Sequence, residues 1–329
     1  MVITAAVLCL SESKNYFFAK YKQQLVSISD VRSSLSDIKV SYDFTVSIPC
    51  PLLHLDLFDL SGSSNNDAKK TINKQRVDIN NNPIPKKIFR PGLRRECGSC
   101  YGAETPTRKC CYTCEDIIEA YQSKIWSIGS MPNWTQCIND NIKYDGTEKC
   151  HVSGTLQING VEGGFHVAPG INVLNQFGHQ HDISPFSGKL NLSHEIDHLT
   201  FGDPLEEGNV DHTRVIQTKS GQMHYRYNLK VVPKIIKTRT GLTKNHFIYT
   251  VSFAEIPVVE RGRFGPGIFF LYDIAPVAIL QKPDRPSFAI FVARCVSIIG
   301  GAFMLGKLID SFGYRLNTIE GKMRIGKAE

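Results

Sequence analysis

A mainly β fold, with a β-sandwich carrying a small cysteine-rich helical insertion and transmembrane helices at its ends, is predicted by three observations. Period-2 alternation of apolar residues dominates the middle of the chain, five cysteines crowd into residues 97–114, and an apolar run of 22 residues lies near the C-terminus. Many short strands punctuated by turn signals indicate a sandwich rather than an array of βαβ units. The 329 residues suffice for one large domain or two ordinary ones. A net charge of +7 comes from Lys and Arg scattered among acids. No basic stripe with interleaved aromatics is present, so no nucleic-acid partner is expected.

Taken in order, "MVITAAVLCL" supplies ten apolar residues before Ser11, about half of what a spanning helix requires, and no basic segment precedes it. Residues 1–12 read as a poor signal peptide or as part of a first transmembrane helix continuing upstream. In "DIKVSYDFTVSIP", Ile38, Val40, Tyr42, Phe44, Val46 and Ile48 alternate with polar residues, which predicts a half-buried strand. "SGSSNNDAKKTINKQ", residues 61–75, has no period and predicts a loop. Thr113 with Asp116 predicts a capping-box helix start, placing Ile118, Tyr121 and Ile125 on one face, and a second helix is expected in "WTQCINDNI". Asn159-Gly160 in "VSGTLQINGVEGGF" predicts a hairpin turn. "MHYRYNLKV" and "HFIYTVSF" return to strand alternation.

The run from Phe288 to Ile309 can cross a hydrocarbon core of about 30 Å. Arg294 and Lys307 near its ends can snorkel, Pro283 and Pro286 precede the helix, and Gly300, Gly301 and Gly306 permit close approach of a partner helix. Basic residues gather beyond it at Arg315, Lys322, Arg324 and Lys327, so the positive-inside bias sets the tail in the cytosol. The large middle part is then lumenal, and the sequons at Asn133 and Asn191 agree with that side. The expected organisation is a lumenal sandwich over residues 13–286, with the cysteine-rich segment at 97–150, a membrane helix at 287–311 and a cytosolic tail at 312–329.

The spacing CxxC, ten residues, CxxC, formed by Cys97, Cys100, Cys111 and Cys114 with Cys110 spare, matches a zinc ribbon. A lumenal compartment favours disulfides instead. Cys50, Cys137 and Cys150 complete an even set of eight, whose pairing the spacing leaves open. A bridge closing a CxxC would be redox-labile, which keeps a membrane-anchored thiol-disulfide oxidoreductase as the alternative function; no thioredoxin-like βαβ pattern surrounds either CxxC. No GxSxG, HExxH or Walker sequence is present. No enzymatic activity, cofactor or metal is therefore expected.

All ten histidines lie between His54 and His246. His179 and His181 share "HQHD"; His194 and His198 have the spacing that aligns two rings if "SHEIDHL" is helical. Satisfied core or surface histidines, a structural zinc site and proton sensing are the available readings, the last because imidazole titrates across the pH range of the secretory pathway.

Together, "CGSCYGAE", "CCYTCEDIIEAY", "GGFHVAPG", "HEIDHLTFG", "YNLKVVP", "PGIFFLYDIAPV" and "SIIGGAF" resemble, in order, the landmarks of the ER-Golgi intermediate compartment proteins, and among them the larger paralogues. The resemblance implies two membrane spans, both ends in the cytosol and a lumenal β-sandwich. It implies cargo receptors that cycle between endoplasmic reticulum and Golgi in coated vesicles, in hetero-oligomers with a smaller paralogue. It also implies that Cys97, Cys100, Cys110, Cys111 and Cys114 form the cargo-contacting segment, and that the tail meets vesicle coat proteins. Two departures stand out. The chain opens at what resembles the last half of the first helix, and "MRIGKAE" carries Lys327 without a second basic residue before it.

Overall fold

A computed structural model describes residues 2–27, 38–59, 70–85, 97–129, 133–142, 147–158, 160–175, 178–186, 190–203, 210–219, 221–258 and 265–325. The chain divides into two compact units. One comprises Met1–Gln24, Ile236–Lys244 and Leu280–Glu329, the other Leu25–Ile235 and Asn245–Ile279.

The strands form two main sheets. In chain order the strands are β1 (Tyr21–Ser27), β2 (Ile38–Val46), β3 (Leu53–Asp59), β4 (Lys70–Asp78), β5 (Glu148–Ile158), β6 (Gly163–Pro169), β7 (Ile171–Asn175) and β8 (Gly178–Asp182). They continue with β9 (His194–Phe201), β10 (Thr213–Val215), β11 (Met223–Lys237), β12 (Thr243–Pro257), β13 (Gly267–Ile274) and β14 (Val277–Pro283). One sheet runs β1-β14-β11-β13-β6-β3 with β12 also on β11, the second runs β10-β9-β2-β5-β4, and β7 pairs β8 alone.

The expected alternation decides which face each sheet buries. Ile38, Val40, Tyr42, Phe44 and Val46 of β2 are buried, as are Met223, Tyr225, Tyr227, Leu229 and Val231 of β11. The two inner faces meet in stacked aromatics, with Phe44 lying 5.1 Å from Phe270 and Phe270 5.0 Å from Tyr227. Such pairs add about 0.5–1.5 kcal/mol to plain area burial. This is the β-sandwich the sequence predicts.

Four local expectations change. The loop expected over residues 61–75 lies outside the described residues up to 69, but Lys70–Asp78 is strand β4, paired throughout with β5. Its side chains are polar because it is an edge strand beside water. Asn159 lies outside the described residues, and the strands flanking it do not form a hairpin: β5 belongs to the smaller sheet and β6 to the larger. "SHEIDHL" is strand β9, not helix. Finally, the helix α2 (Cys114–Ser123) ends before Ile125, which takes a left-handed φ of 57° and is exposed.

In the smaller unit, α1 (Val2–Phe17) and α4 (Phe288–Ile325) pack together, whereas α2 and α3 (Thr135–Asn139) belong to the larger unit. Phe288–Leu316 is a candidate membrane span of 29 residues with mean hydropathy 2.1 and no buried share. The helix runs on past residue 311, further than the apolar run requires. At 16 residues, α1 reaches roughly 24 Å. Arg294, expected to snorkel, instead bonds Glu12 of α1 at 2.7 Å, and Tyr16 stacks on Phe291 at 4.5 Å.

Candidate functional site

The cysteine-rich block, residues 97–129 and 133–142, contains two short helices and no strand among its described residues. Three disulfides take the place of a β core: Cys97–Cys110, Cys100–Cys111 and Cys114–Cys137. Cys50–Cys150 staples the turn that leads into β3 to strand β5. All eight candidate cysteines are thus paired, neither CxxC closes on itself, and sulfurs so bonded are not thiolate ligands of a zinc ribbon.

The pairing follows from a close backbone approach. Cys111 N–H donates to Gly98 C=O at 3.0 Å, and a Cβ on Gly98 would fall 2.2 Å from the Cys111 oxygen. Only glycine lets the two segments lie side by side, so each cysteine finds a partner across the pair rather than within its own CxxC. Cys100 and Cys111 are fully buried while Cys97 is exposed and Cys110 half-buried. Thr113 and Asp116 make the expected capping box, Asp116 N–H donating to Thr113 Oγ1 at 3.1 Å and Thr113 N–H to Asp116 Oδ2 at 2.9 Å. Cys114, at the start of α2, is bonded to Cys137 in α3.

An aromatic rim rises from this framework. Trp134 is buried at its base; Tyr101 stacks on it at 5.5 Å, Tyr121 tilts against it at 5.0 Å, and Trp126 meets Tyr121 edge-on at 5.7 Å. Tyr101 and Trp126 stay 37% and 44% exposed. Lys124 sits 4.6 Å over the Trp126 ring and donates to Gly102 C=O at 2.8 Å. The rings are therefore held in place yet open to solvent, the state of a contact surface rather than of a core. Sequence reading missed this rim because its residues come from loops and a helix of no shared period. The block is anchored to the smaller sheet by Arg76, which forks onto Glu148 at 2.6 and 2.8 Å and reaches the Asp140 and Asn141 carbonyls at 3.0 and 3.1 Å.

The singled-out histidines separate. A register shift between Asp43 and Phe44 leaves Asp197 of β9 unpaired with β2, so the strand reverses its faces midway. His194 points inward, buried against Tyr227, its Nε2 lying 2.7 Å from the phenolic oxygen and its Nδ1 2.8 Å from Leu192 O. Burial lowers its pKa to about 4, so it stays neutral across the range expected of a sensor. His198 faces outward and pairs with Asp211 at 2.9 Å.

Around His198, the outer face of the smaller sheet collects further charge. His151 pairs with Asp43 at 3.2 Å, and Thr45 bridges His151 and Asp197. Burial raises the Asp43 pKa against the opposing pull of His151 and His198, and burial followed by the Asp43 charge raises that of Asp197. His181 lies on the outer face of the larger sheet beside His166 and Asp56. His179 stands opposite Leu174 in the β7–β8 register. Of the sequons, Asn133 is exposed before α3, whereas Asn191 is half-buried and its Oδ1 accepts from Ser193 N–H and Oγ–H at 2.9 and 2.7 Å.

Comparison with known proteins matches residues 100–310 to a family described as "Endoplasmic reticulum vesicle transporter" and residues 1–66 to one described as "Endoplasmic Reticulum-Golgi Intermediate Compartment (ERGIC)". The chain is 33% identical over 327 residues to the probable endoplasmic reticulum-Golgi intermediate compartment protein 3 of Dictyostelium discoideum, covering 88% of this chain and 82% of that one. It is 26% identical over 390 residues to the ER-derived vesicles protein ERV46 of Saccharomyces cerevisiae, covering 98% and 91%. Among solved structures, the crystal structure of Erv41p is similar at 18% identity with a TM-score of 0.48, covering 79% of this chain and 99% of that one. With a vesicle-transporter model over residues 100–310 and a relative 33% identical across 88% of this chain, the chain belongs to the ER-Golgi intermediate compartment family of endoplasmic reticulum vesicle transporters.

Proposed function

We propose that this chain is a cargo receptor of the early secretory pathway, with the cysteine-rich block as its cargo-contacting surface. The observation that supports this most is the rim in which Tyr101 and Trp126, set against the half-buried Tyr121, are fixed on a cross-linked framework and left open to solvent. A surface of this kind binds by apolar contact with little loss of side-chain freedom, because the rings are already ordered. No arrangement of nucleophile, base and oxyanion donors accompanies it among the described residues, and the cross-paired cysteines favour a scaffold over a dithiol oxidoreductase.

In this reading residues 13–286 are lumenal, Asn133 and Asn191 accept glycans, residues 1–12 and 287–311 lie in the membrane, and 312–329 form a cytosolic tail that meets vesicle coat proteins. A smaller paralogue joins the chain in a hetero-oligomer, and the complex cycles between endoplasmic reticulum, intermediate compartment and Golgi. Retrieval requires cargo to be held where the lumen is mildly acidic and released where it is near neutral, so the complex must bind more protons than its separated parts. His198 and His151 are the groups proposed for this role, set among Asp43, Asp197 and Asp211. His194, neutral down to about 4, is not among them.

The test is capture of resident lumenal proteins by the full-length chain in detergent at about pH 6 and about pH 7.2, spanning the imidazole range. Stronger capture at the lower pH, levelled by His151→Gln with His198→Gln, is expected. Equal capture at both values would reject pH-gated release, and no capture at either would reject the receptor reading itself.

A further inference from the structure

Three potential metal ligands from three strands converge on the outer face of the larger sheet. Asp56 of β3 stands opposite His166 of β6 in the ladder, and β8 brings His181 over them. His166 Nε2 lies 3.0 Å from His181 Nε2, which lies 3.7 Å from Asp56 Oδ2. One ligand atom from each side chain falls within 4.8 Å of the others. All three groups are well withdrawn from solvent, with side-chain exposures of 7% for Asp56 and 11% for His181 and a residue exposure of 6% for His166.

We propose that Asp56, His166 and His181 bind one divalent cation of the zinc class. Tetrahedral bonds of about 2.0–2.1 Å separate neighbouring donor atoms by about 3.3 Å, and the two observed separations lie on either side of that value. Two imidazoles and a carboxylate are a donor set suited to zinc and to its neighbours in the first transition row. Without the ion, one imidazole Nε2–H donates to the other ring; the cation takes the place of that proton, which moves to Nδ1 of the same ring, so both imidazoles bind as neutral ligands.

The surroundings fix each ligand before the ion arrives. Phe269 stacks on His166 at 4.9 Å and Phe58 tilts against it at 5.5 Å, setting the ring plane. Lys70 approaches the other Asp56 oxygen, Oδ1, at 3.9 Å and so leaves Oδ2 on the side of the histidines. The turn into β7 passes through Gly170, at φ +96°, where a Cβ would lie 2.1 Å from Asp182 O. That close approach draws in the end of β8 next to His181. Three protein ligands leave a fourth coordination position open. The ion would tie the β7–β8 hairpin to β3 and β6, and the inference stands independently of the cargo reading.

The experiment is Co²⁺ titration of the purified full-length chain in detergent, after stripping with a chelator, followed by its visible absorption. Saturation at one ion per chain with a tetrahedral spectrum is expected. Asp56→Asn, which keeps shape and removes charge, should weaken binding by at least about tenfold, and His166→Gln with His181→Gln should abolish it. A melting temperature close to that of the unmodified chain shows that a variant is folded. No saturable binding by the unmodified chain overturns the proposal. So does binding unchanged in the variants, or a thiolate-to-cobalt band, which would assign the ion to free Cys9 or Cys295.

Discussion

The sandwich and the cysteine-rich block solve the same problem in opposite ways. The sandwich closes two alternating faces on a shared aromatic layer, and the buried cluster from Ile38 to Tyr272 also takes in Ile117, Ile118 and Trp134 of the block. The block has about forty described residues, two short helices and no strand, too little regular structure to close a core of its own; three disulfides make up the difference. The contrast explains where apolar rings can stay exposed. Cross-links hold Tyr101 and Trp126 in place without burying them, which packing alone would have to do.

The comparison can be broken from the sandwich side first. Cys50–Cys150 closes a loop of 100 residues, so replacing both cysteines by serine should cost about 4–5 kcal/mol in a denaturant titration, more than any single change in the block. Arg76→Leu comes next. It leaves Glu148, with 2% side-chain exposure, as an uncompensated charge and frees the Asp140 and Asn141 carbonyls, so a loss of about 3–4 kcal/mol is expected together with loosening of α3 in hydrogen exchange.

A third change sharpens the comparison through pH. His194 has a folded pKa of about 4 against about 6.5 unfolded, so the unfolded chain takes up the proton first as pH falls. Stability should be full above about 6.5 and decline by about 3 kcal/mol on approach to pH 4. His194→Phe should flatten that slope in melting curves; an unchanged slope would assign it to other groups. The block has its own smaller test. Cys97 is exposed while each other bridge has a fully buried sulfur, so limited reductant followed by alkylation should label Cys97 and Cys110 first.

These regions also differed in how far they could be read from sequence. Strand alternation announced β2 and β11 correctly because apolar side chains on one face need a second sheet to cover them. It failed at β4, an edge strand whose polar side chains carry no such signal, and at Asn159, where a sequence suited to a hairpin joins strands of different sheets. The capping box of α2 was legible since it is local chemistry. Disulfide partners were not, because they depend on the approach at Gly98. His194 and His198 looked equivalent by spacing; the irregularity at Asp197 turned one into the core and the other outward. Asp56 and His166, 110 residues apart, gave no sign of meeting His181 until their strands were paired.

The central claim is that the aromatic rim, and not the cross-links beneath it, meets cargo. The most direct measurement is secretion of resident lumenal proteins from cells whose only copy of this chain carries Tyr101→Ser with Trp126→Ser. The disulfides and the Arg76 anchor stay in place, but Tyr101 also stacks on Trp134 and its hydroxyl bonds Gln136 and Thr135 N–H, so a loss of about 2–3 kcal/mol is expected for the pair and a melting curve checks that the variant remains folded. The account expects a correctly localised chain, still assembled with its paralogue, that lets those proteins escape to the medium. Full retention by this variant would contradict it.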